Sequence, residues 1–122
     1  MDIGPIALLL SLLLGIGVAA IGIFAMVSPK KAAAHYGVKT KDDGLTWVMA
    51  AGVRDVFIGL IFILLYFQND SALTAKTCLC VAIVAIADGI LVLKSGVKKA
   101  SYVHFAAAIF AISLASLLIL IS

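Results

Sequence analysis

Charged residues are scarce in this sequence. Only 12% of its 122 residues are Asp, Glu, Lys or Arg, whereas 65% are hydrophobic, and the mean hydropathy is +1.26. A soluble domain of average composition carries about twice that fraction of charge. The scarcity excludes an ordinary soluble domain, and the length predicts one domain over residues 1–122.

The sequence also lacks the motifs by which many enzymes bind metals or nucleotides or form covalent intermediates. It contains no H-E-x-x-H, no Walker loop, no G-x-S-x-G and no C-x-x-C. Cys78 and Cys80 form a C-x-C instead, and residues two apart point to different faces of a helix. His35 and His104 lie far apart in the chain. We therefore predict no metal and no cofactor.

Four apolar segments are long enough to cross a bilayer, whose core requires about 20 residues of helix. They span residues 6–27, 46–67, 73–93 and 102–121. Turn residues separate them at Ser28-Pro29, Asp42-Asp43-Gly44, residues 68–71 and Ser95-Gly96. The sequence has no alternating strand pattern, and the backbone in lipid must satisfy its own hydrogen bonds, so we predict an all-α bundle of four transmembrane helices. The first segment has no basic leader and is predicted to be a retained helix.

Lysines mark one side of this predicted bundle. All but Lys76 lie in the two connections on that side: Lys30, Lys31, Lys39, Lys41, Lys94, Lys98 and Lys99. The positive-inside tendency predicts that this side faces the cytosol and that both termini face the lumen or exterior. We interpret the net charge of +3 as a determinant of membrane topology and of affinity for anionic lipid. No nucleic-acid partner is predicted, because no basic patch is interleaved with aromatic residues.

Three ionisable residues fall within the apolar segments: Arg54, Asp55 and Asp88. A charged side chain at the bilayer centre costs at least about 2.5–3.5 kcal/mol, so we expect these groups to face one another or water. At a rise of 1.5 Å per residue, Asp55 lies about 13 Å and Asp88 about 9 Å from the same surface. The shared depth predicts a polar pocket open toward the cytosol.

Helical phase predicts which residues surround that pocket. Gly52 and Gly59 share the stripe of Asp55, and with Gly89 they are predicted to allow close packing. Candidate substrate-binding residues are the aromatic and histidine side chains near the cytosolic ends: Trp47, His104, Tyr102, Tyr36 and His35. A place in the interfacial aromatic belt is the alternative for Trp47, Tyr102 and His104. On the third segment, Val81, Val84 and Ala85 align with Asp88.

The chemistry available to two aspartates and an arginine is specific. Two carboxyl groups beside one guanidinium can differ in protonation, one ionised and one protonated, which supplies a base and an acid. Such a pair suits opening of an epoxide, since the carboxylate takes a proton from water while the acid protonates the departing oxygen. An internal hydroxyl in place of water gives a cyclic ether. Asp55, Asp88 and Arg54 are therefore the candidate catalytic residues.

The stretch "SPKKAAAHYGV" followed by "GVRDVFIGL" resembles a family of short four-helix integral-membrane proteins found in fungi and bacteria. It is also similar to the small membrane hydrolases of fungal polyketide clusters of the aurovertin and citreoviridin type. The matching motif is Gly52-x-Arg54-Asp55 with the upstream Tyr36-Gly37. This resemblance implies hydrolysis or cyclisation of an epoxide on a lipophilic polyketide, and the endoplasmic reticulum as the membrane. Soluble limonene-epoxide hydrolases use a similar Asp–Arg–Asp arrangement on an unrelated fold, which is an analogy of chemistry alone.

Two other classes of protein stay open. Acids and arginine within spans also occur in proton-coupled transporters and small channels, although no ionisable lining lies past Lys76 on the far side. Alternatively, the charged cluster only sets helix register in a structural or assembly protein. The predicted partners are a lipophilic small molecule and membrane lipid. A homo-oligomer is left open, because Gly15-x-x-x-Ala19 and Ala85-x-x-x-Gly89 could pack within a bundle or between protomers.

Overall fold

A computed structural model describes residues 2–39, 41 and 44–122. Its helices are α1 (Gly4–Val27), α2 (Pro29–Tyr36), α3 (Leu45–Gln68), α4 (Ser71–Ser95) and α5 (Lys98–Ile121). All except α2 are long and apolar enough to cross a membrane. The predicted all-α bundle of four membrane helices is confirmed, and no helix end differs from its predicted position by more than four residues. Asp42 and Asp43 of the second predicted turn lie outside the described residues.

The short helix α2 has no counterpart among the predicted helices. Its eight residues are too few to cross a bilayer. Pro29 occupies the first turn, where its missing N–H is not needed, and Gly37 ends the helix with a φ of +76°. Ala32 and Ala33 are buried against Ala25 of α1 and Val48 of α3. The helix therefore packs against one end of the bundle.

The four long helices associate as two tight pairs, α1 with α3 and α4 with α5. A Cβ atom at Gly59 would stand 2.5 Å from the carbonyl oxygen of Gly15, and one at Gly52 would stand 2.6 Å from that of Gly22. Only glycine permits such an approach of one backbone to another. The predicted close packing at Gly52 and Gly59 is confirmed.

The α4–α5 pair also includes a small residue at its contact. A Cβ atom at Gly89 would stand 2.7 Å from the ring of Phe105 on α5, so the predicted role of Gly89 in close packing is confirmed. The cysteines of α4 point apart as expected, because Cys78 is buried and Cys80 is exposed.

The two helix pairs meet in an apolar core in the half of the bundle away from α2. Its buried residues come from all four long helices: Ala7, Leu8, Phe62, Ala75, Cys78, Leu114, Ala115 and Leu118. In the other half, next to α2, the pairs leave room for a cavity. One half of the bundle is therefore filled by the core, and the candidate site lies in the cavity of the other half.

Candidate functional site

The cavity next to α2 has a volume of about 450 Å³ and is lined by residues from all five helices. Most of its wall is aliphatic, with Leu14, Val18, Ile21, Ile58, Val81, Val84, Ala85, Val103 and Ala107 among the lining residues. Its polar lining consists of Arg54, Asp55, Asp88, His35, Tyr36 and His104. A volume of this size, with a few converging polar groups on an apolar wall, is typical of a small-molecule site.

Arg54 joins the two aspartates of the cavity. Its Nη2 donates to Asp55 Oδ1 at 3.1 Å and to Asp88 Oδ2 at 2.8 Å. Its Nη1 donates to Asp88 Oδ1 at 3.2 Å, and its Nε donates to Asp55 Oδ1 at 3.1 Å. The planar guanidinium has enough fixed donors to hold both carboxyl groups at once. The predicted meeting of these three side chains is confirmed.

Tyr36 adds a fourth member to this cluster from α2. Its hydroxyl donates to Asp55 Oδ2 at 3.1 Å. Partial burial, and then the neighbouring Asp55 carboxylate, raise the pKa of Tyr36 above its ordinary value. The hydroxyl therefore stays protonated and able to donate at neutral pH. Tyr36 was predicted to bind substrate, and its bond to Asp55 was missed because α2 was not predicted.

His104 of α5 contacts the last residue of α2. Its Nε2 donates to the carbonyl oxygen of Tyr36 at 3.1 Å, and since a carbonyl oxygen can only accept, Nε2 carries the proton. The Val97 N–H donates to the carbonyl oxygen of Gly37 at 2.8 Å. These two bonds attach α2 to α5 and to the turn that precedes it. His35 also lines the cavity, as expected for a candidate binding residue.

Trp47 and Tyr102, two of the predicted substrate-binding residues, do not line the cavity, so the structure does not place them in the predicted pocket. Their side chains are on the outer surface, with exposures of 79% and 70%. Trp47 shares a stripe with Arg54 but lies two turns nearer the helix end, and only the long Arg54 side chain reaches back to Asp88. Tyr102 precedes His104 by two residues, which places it about 200° away around the helix.

The aliphatic wall was predicted on one side only. Val81, Val84 and Ala85 line the cavity, as their alignment with Asp88 indicated. The contribution of α1 was missed, because that helix carries no ionisable residue that could mark its inward face. The small residues of α1 could have indicated its inward face, because Gly15 and Gly22 are the positions at which α1 packs against α3.

Proton transfer is the chemistry that this arrangement can perform. Two carboxyl groups and a phenol surround one fixed positive charge, and an imidazole lines the same mainly apolar cavity. Within residues 2–39, 41 and 44–122, no group of three or more His, Cys, Asp or Glu side chains is placed to hold a metal ion.

The fold and the site define a multi-pass membrane protein with a charged cluster in a cavity at one end of a four-helix bundle. The chain belongs to the family described as a domain of unknown function (DUF4267), which matches residues 15–118. The match includes Tyr36, Arg54, Asp55, Asp88 and His104. No curated protein and no solved structure gives a significant match.

Proposed function

We propose that the cavity is the active site of an epoxide hydrolase or epoxide-opening cyclase that acts on a lipophilic substrate. The supporting observation is one guanidinium shared by two carboxyl groups in a mainly apolar cavity. If both carboxyl groups were ionised, the cluster would carry an excess negative charge in apolar surroundings, which is costly. One bound proton removes that excess. The resting site then contains one carboxylate and one carboxylic acid, as acid–base opening of an epoxide requires.

The hydrogen bonds favour Asp55 as the base. Asp55 accepts three hydrogen bonds, two from Arg54 and one from Tyr36, whereas Asp88 accepts two, both from Arg54. Each further donor favours the ionised form of a carboxyl group, and Asp55 Oδ2, with a single bond, keeps a lone pair for a water molecule. Asp88 has the more exposed side chain, 24% against 11% for Asp55. Asp88 is therefore assigned as the acid that faces the bound substrate.

The reaction proceeds as a single displacement. Asp55 takes a proton from water while the water oxygen attacks one epoxide carbon, the bond from that carbon to the ring oxygen breaks, and the ring oxygen takes the proton of Asp88. Exchange through cavity water returns a proton from Asp55 to Asp88. A hydroxyl of the substrate in place of water produces a cyclic ether, so the shape of the substrate decides between hydrolysis and cyclisation.

The apolar wall and the surrounding membrane favour a lipophilic epoxide. Epoxides on polyene-derived polyketides, as handled by the hydrolases that the sequence resembles, have this character. The lysine-rich end that contains α2 and the cavity faces the cytosol in this proposal, and both termini face the lumen, by the positive-inside tendency. The endoplasmic reticulum is the proposed membrane.

The filled half of the bundle favours an enzyme over a transporter or channel. Phe62 and Leu118 are fully buried in the core away from α2, and that core contains no ionisable side chain among the described residues apart from the thiol of Cys78. A proton or ion path needs polar groups through both halves of the membrane.

Asp88→Asn provides the direct test of the proposed reaction. Purified protein in liposomes is given a long-chain epoxide in ¹⁸O-labelled water, and the wild type is expected to form a diol with one labelled oxygen. Removing the acid should lower turnover by a factor of about 10² to 10⁴. The matched control is Asp70→Asn, at the exposed N-cap of α4, where asparagine caps equally well. Full turnover by Asp88→Asn would contradict the proposal.

Tyr36→Phe is expected to lower kcat with little change in KM. The substitution removes a hydrogen bond to Asp55 that orients the base, and a hydrogen bond to a charged group contributes about 1.5–3 kcal/mol, or roughly 10- to 100-fold in rate. Steady-state kinetics should be measured beside Tyr102→Phe, whose side chain lies outside the cavity. Equal kcat values for the two variants would remove Tyr36 from the catalytic machinery.

A further inference from the structure

The cavity is not enclosed equally on all sides. Among the described residues that line it, only Ile21, His35, Val103 and Ala107 are exposed. The lining residues of α3 and α4 are all buried or half-buried. A side chain that both lines a cavity and is exposed marks an opening, and these side chains belong to α1, α2 and α5.

The same two long helices, α1 and α5, are in contact farther along. Leu8 of α1 and Leu118 of α5 are buried in one core cluster. Toward α2, by contrast, Ile21 is 49% exposed and Val103 is 67% exposed. The helices therefore touch in the filled half of the bundle and leave a gap beside the cavity.

The depth of this gap determines what it meets. At 1.5 Å per residue, Ile21 lies about 9 Å from the end of α1 and Ala107 about 14 Å from the start of α5. Both positions fall within spans that are apolar enough to cross the membrane. The rim is aliphatic at Ile21, Val103 and Ala107, with His35 on the side of α2. Acyl chains, rather than water, surround an opening of this kind.

We propose that the gap between α1 and α5 is a lateral entrance by which a long-chain epoxide passes from the bilayer into the cavity. The oxirane enters first and reaches Arg54 and the two aspartates, while the alkyl or polyene chain lies along Ile21 and Val103 and extends into lipid. The identity of the reacting group rests on the proposed function, whereas the entrance itself does not. The substrate class follows: chains too long for the cavity alone, with the epoxide near an accessible end.

Tryptophan at the rim tests the entrance. Ala107→Trp places a large ring in the gap, and Ile109→Trp is the matched control, since Ile109 is 66% exposed on the same helix but does not line the cavity. Turnover of 1,2-epoxyoctadecane in liposomes is compared with turnover of water-soluble 1,2-epoxybutane. We expect Ala107→Trp to lower kcat/KM for the long substrate by about ten-fold or more relative to the short one. Unchanged turnover of the long substrate, or equal loss for both, would overturn the proposal.

A binding measurement separates this proposal from the proposed function. In a background with Cys78→Ala and Cys80→Ala, cysteine is introduced as Val103→Cys or, for control, Ile109→Cys. Labelling by a membrane-permeant maleimide is measured with and without a long-chain cyclopropane analogue, which cannot react. Protection at position 103 alone supports the entrance, even if neither epoxide is converted and the proposed function fails. Equal protection at both positions, or none, overturns the entrance, even in an active enzyme.

Discussion

Replacing Arg54 with glutamine is expected to abolish the proposed epoxide opening and to destabilise the folded chain. The guanidinium donates to both carboxyl groups, and glutamine cannot reach or neutralise both. Removing one partner of a fully buried ion pair costs about 3–5 kcal/mol. Because the Arg54 side chain is 37% exposed, we expect a smaller cost of about 1–3 kcal/mol. Turnover of labelled water and thermal unfolding in detergent micelles measure the two effects.

Two companion variants distinguish a catalytic cluster from one that only sets helix register. Arg54→Lys keeps the charge but not the planar fork of donors, so it should restore part of the stability and little of the turnover. The triple variant Arg54→Leu, Asp55→Leu, Asp88→Leu removes every charge together, which is often neutral or stabilising for a buried ion network. We expect it to be folded and inactive. Retained activity in the triple variant would support the purely structural alternative.

Gly59→Leu is expected to have the largest effect on stability outside the charged cluster. A Cβ atom at this position would stand 2.5 Å from the carbonyl oxygen of Gly15 and 2.5 Å from the Cβ of Ala19. Neither contact can be relieved by rotating a flexible side chain, so α1 and α3 must move apart. Overpacking of this kind costs about 1–3 kcal/mol or more. Asp55 lies one turn away on the same stripe, so turnover should fall as well.

Gly17→Leu is the matched control for this prediction. Gly17 belongs to α1, is exposed, and has no neighbouring atom within 4 Å of an added Cβ. Leucine there should leave the unfolding midpoint and turnover close to those of the wild type. A similar loss in both variants would attribute the effect to glycine replacement in general, and not to contact between α1 and α3.

The level of each group along the membrane could be predicted from the sequence, because helical rise and antiparallel order fix it. The shared depth predicted that Asp88 would meet Arg54, which lies 34 positions away in the sequence. Position around the helix was less predictable. Trp47 lies on the same face of α3 as Arg54, but it does not line the cavity. Arg54 reaches the cavity because its side chain is long.

The pairing of helices and the placement of α2 could not be predicted from composition. All four spans are apolar on most faces, so hydropathy does not indicate that α1 packs on α3 and α4 on α5. The position of α2 depends on distant bonds, from Val97 to Gly37 and from His104 to Tyr36. Neither bond is visible as a local pattern. As a result, Tyr36 was identified as a candidate, whereas its hydrogen bond to Asp55 was not.

The two halves of the charged cluster come from different helix pairs. Arg54 and Asp55 belong to the α1–α3 pair and Asp88 belongs to the α4–α5 pair, so the bond between Arg54 and Asp88 spans the seam of the bundle. Arg54 is charged in either state of Asp88, so this bond is charge-assisted throughout, and ionisation of Asp88 adds an attraction between opposite charges. Under the proposed mechanism, Asp88 becomes charged as it gives up its proton, and its hold on Arg54 tightens at that moment. The protonation state of Asp88 would then affect both the reaction and the attraction between the two helix pairs.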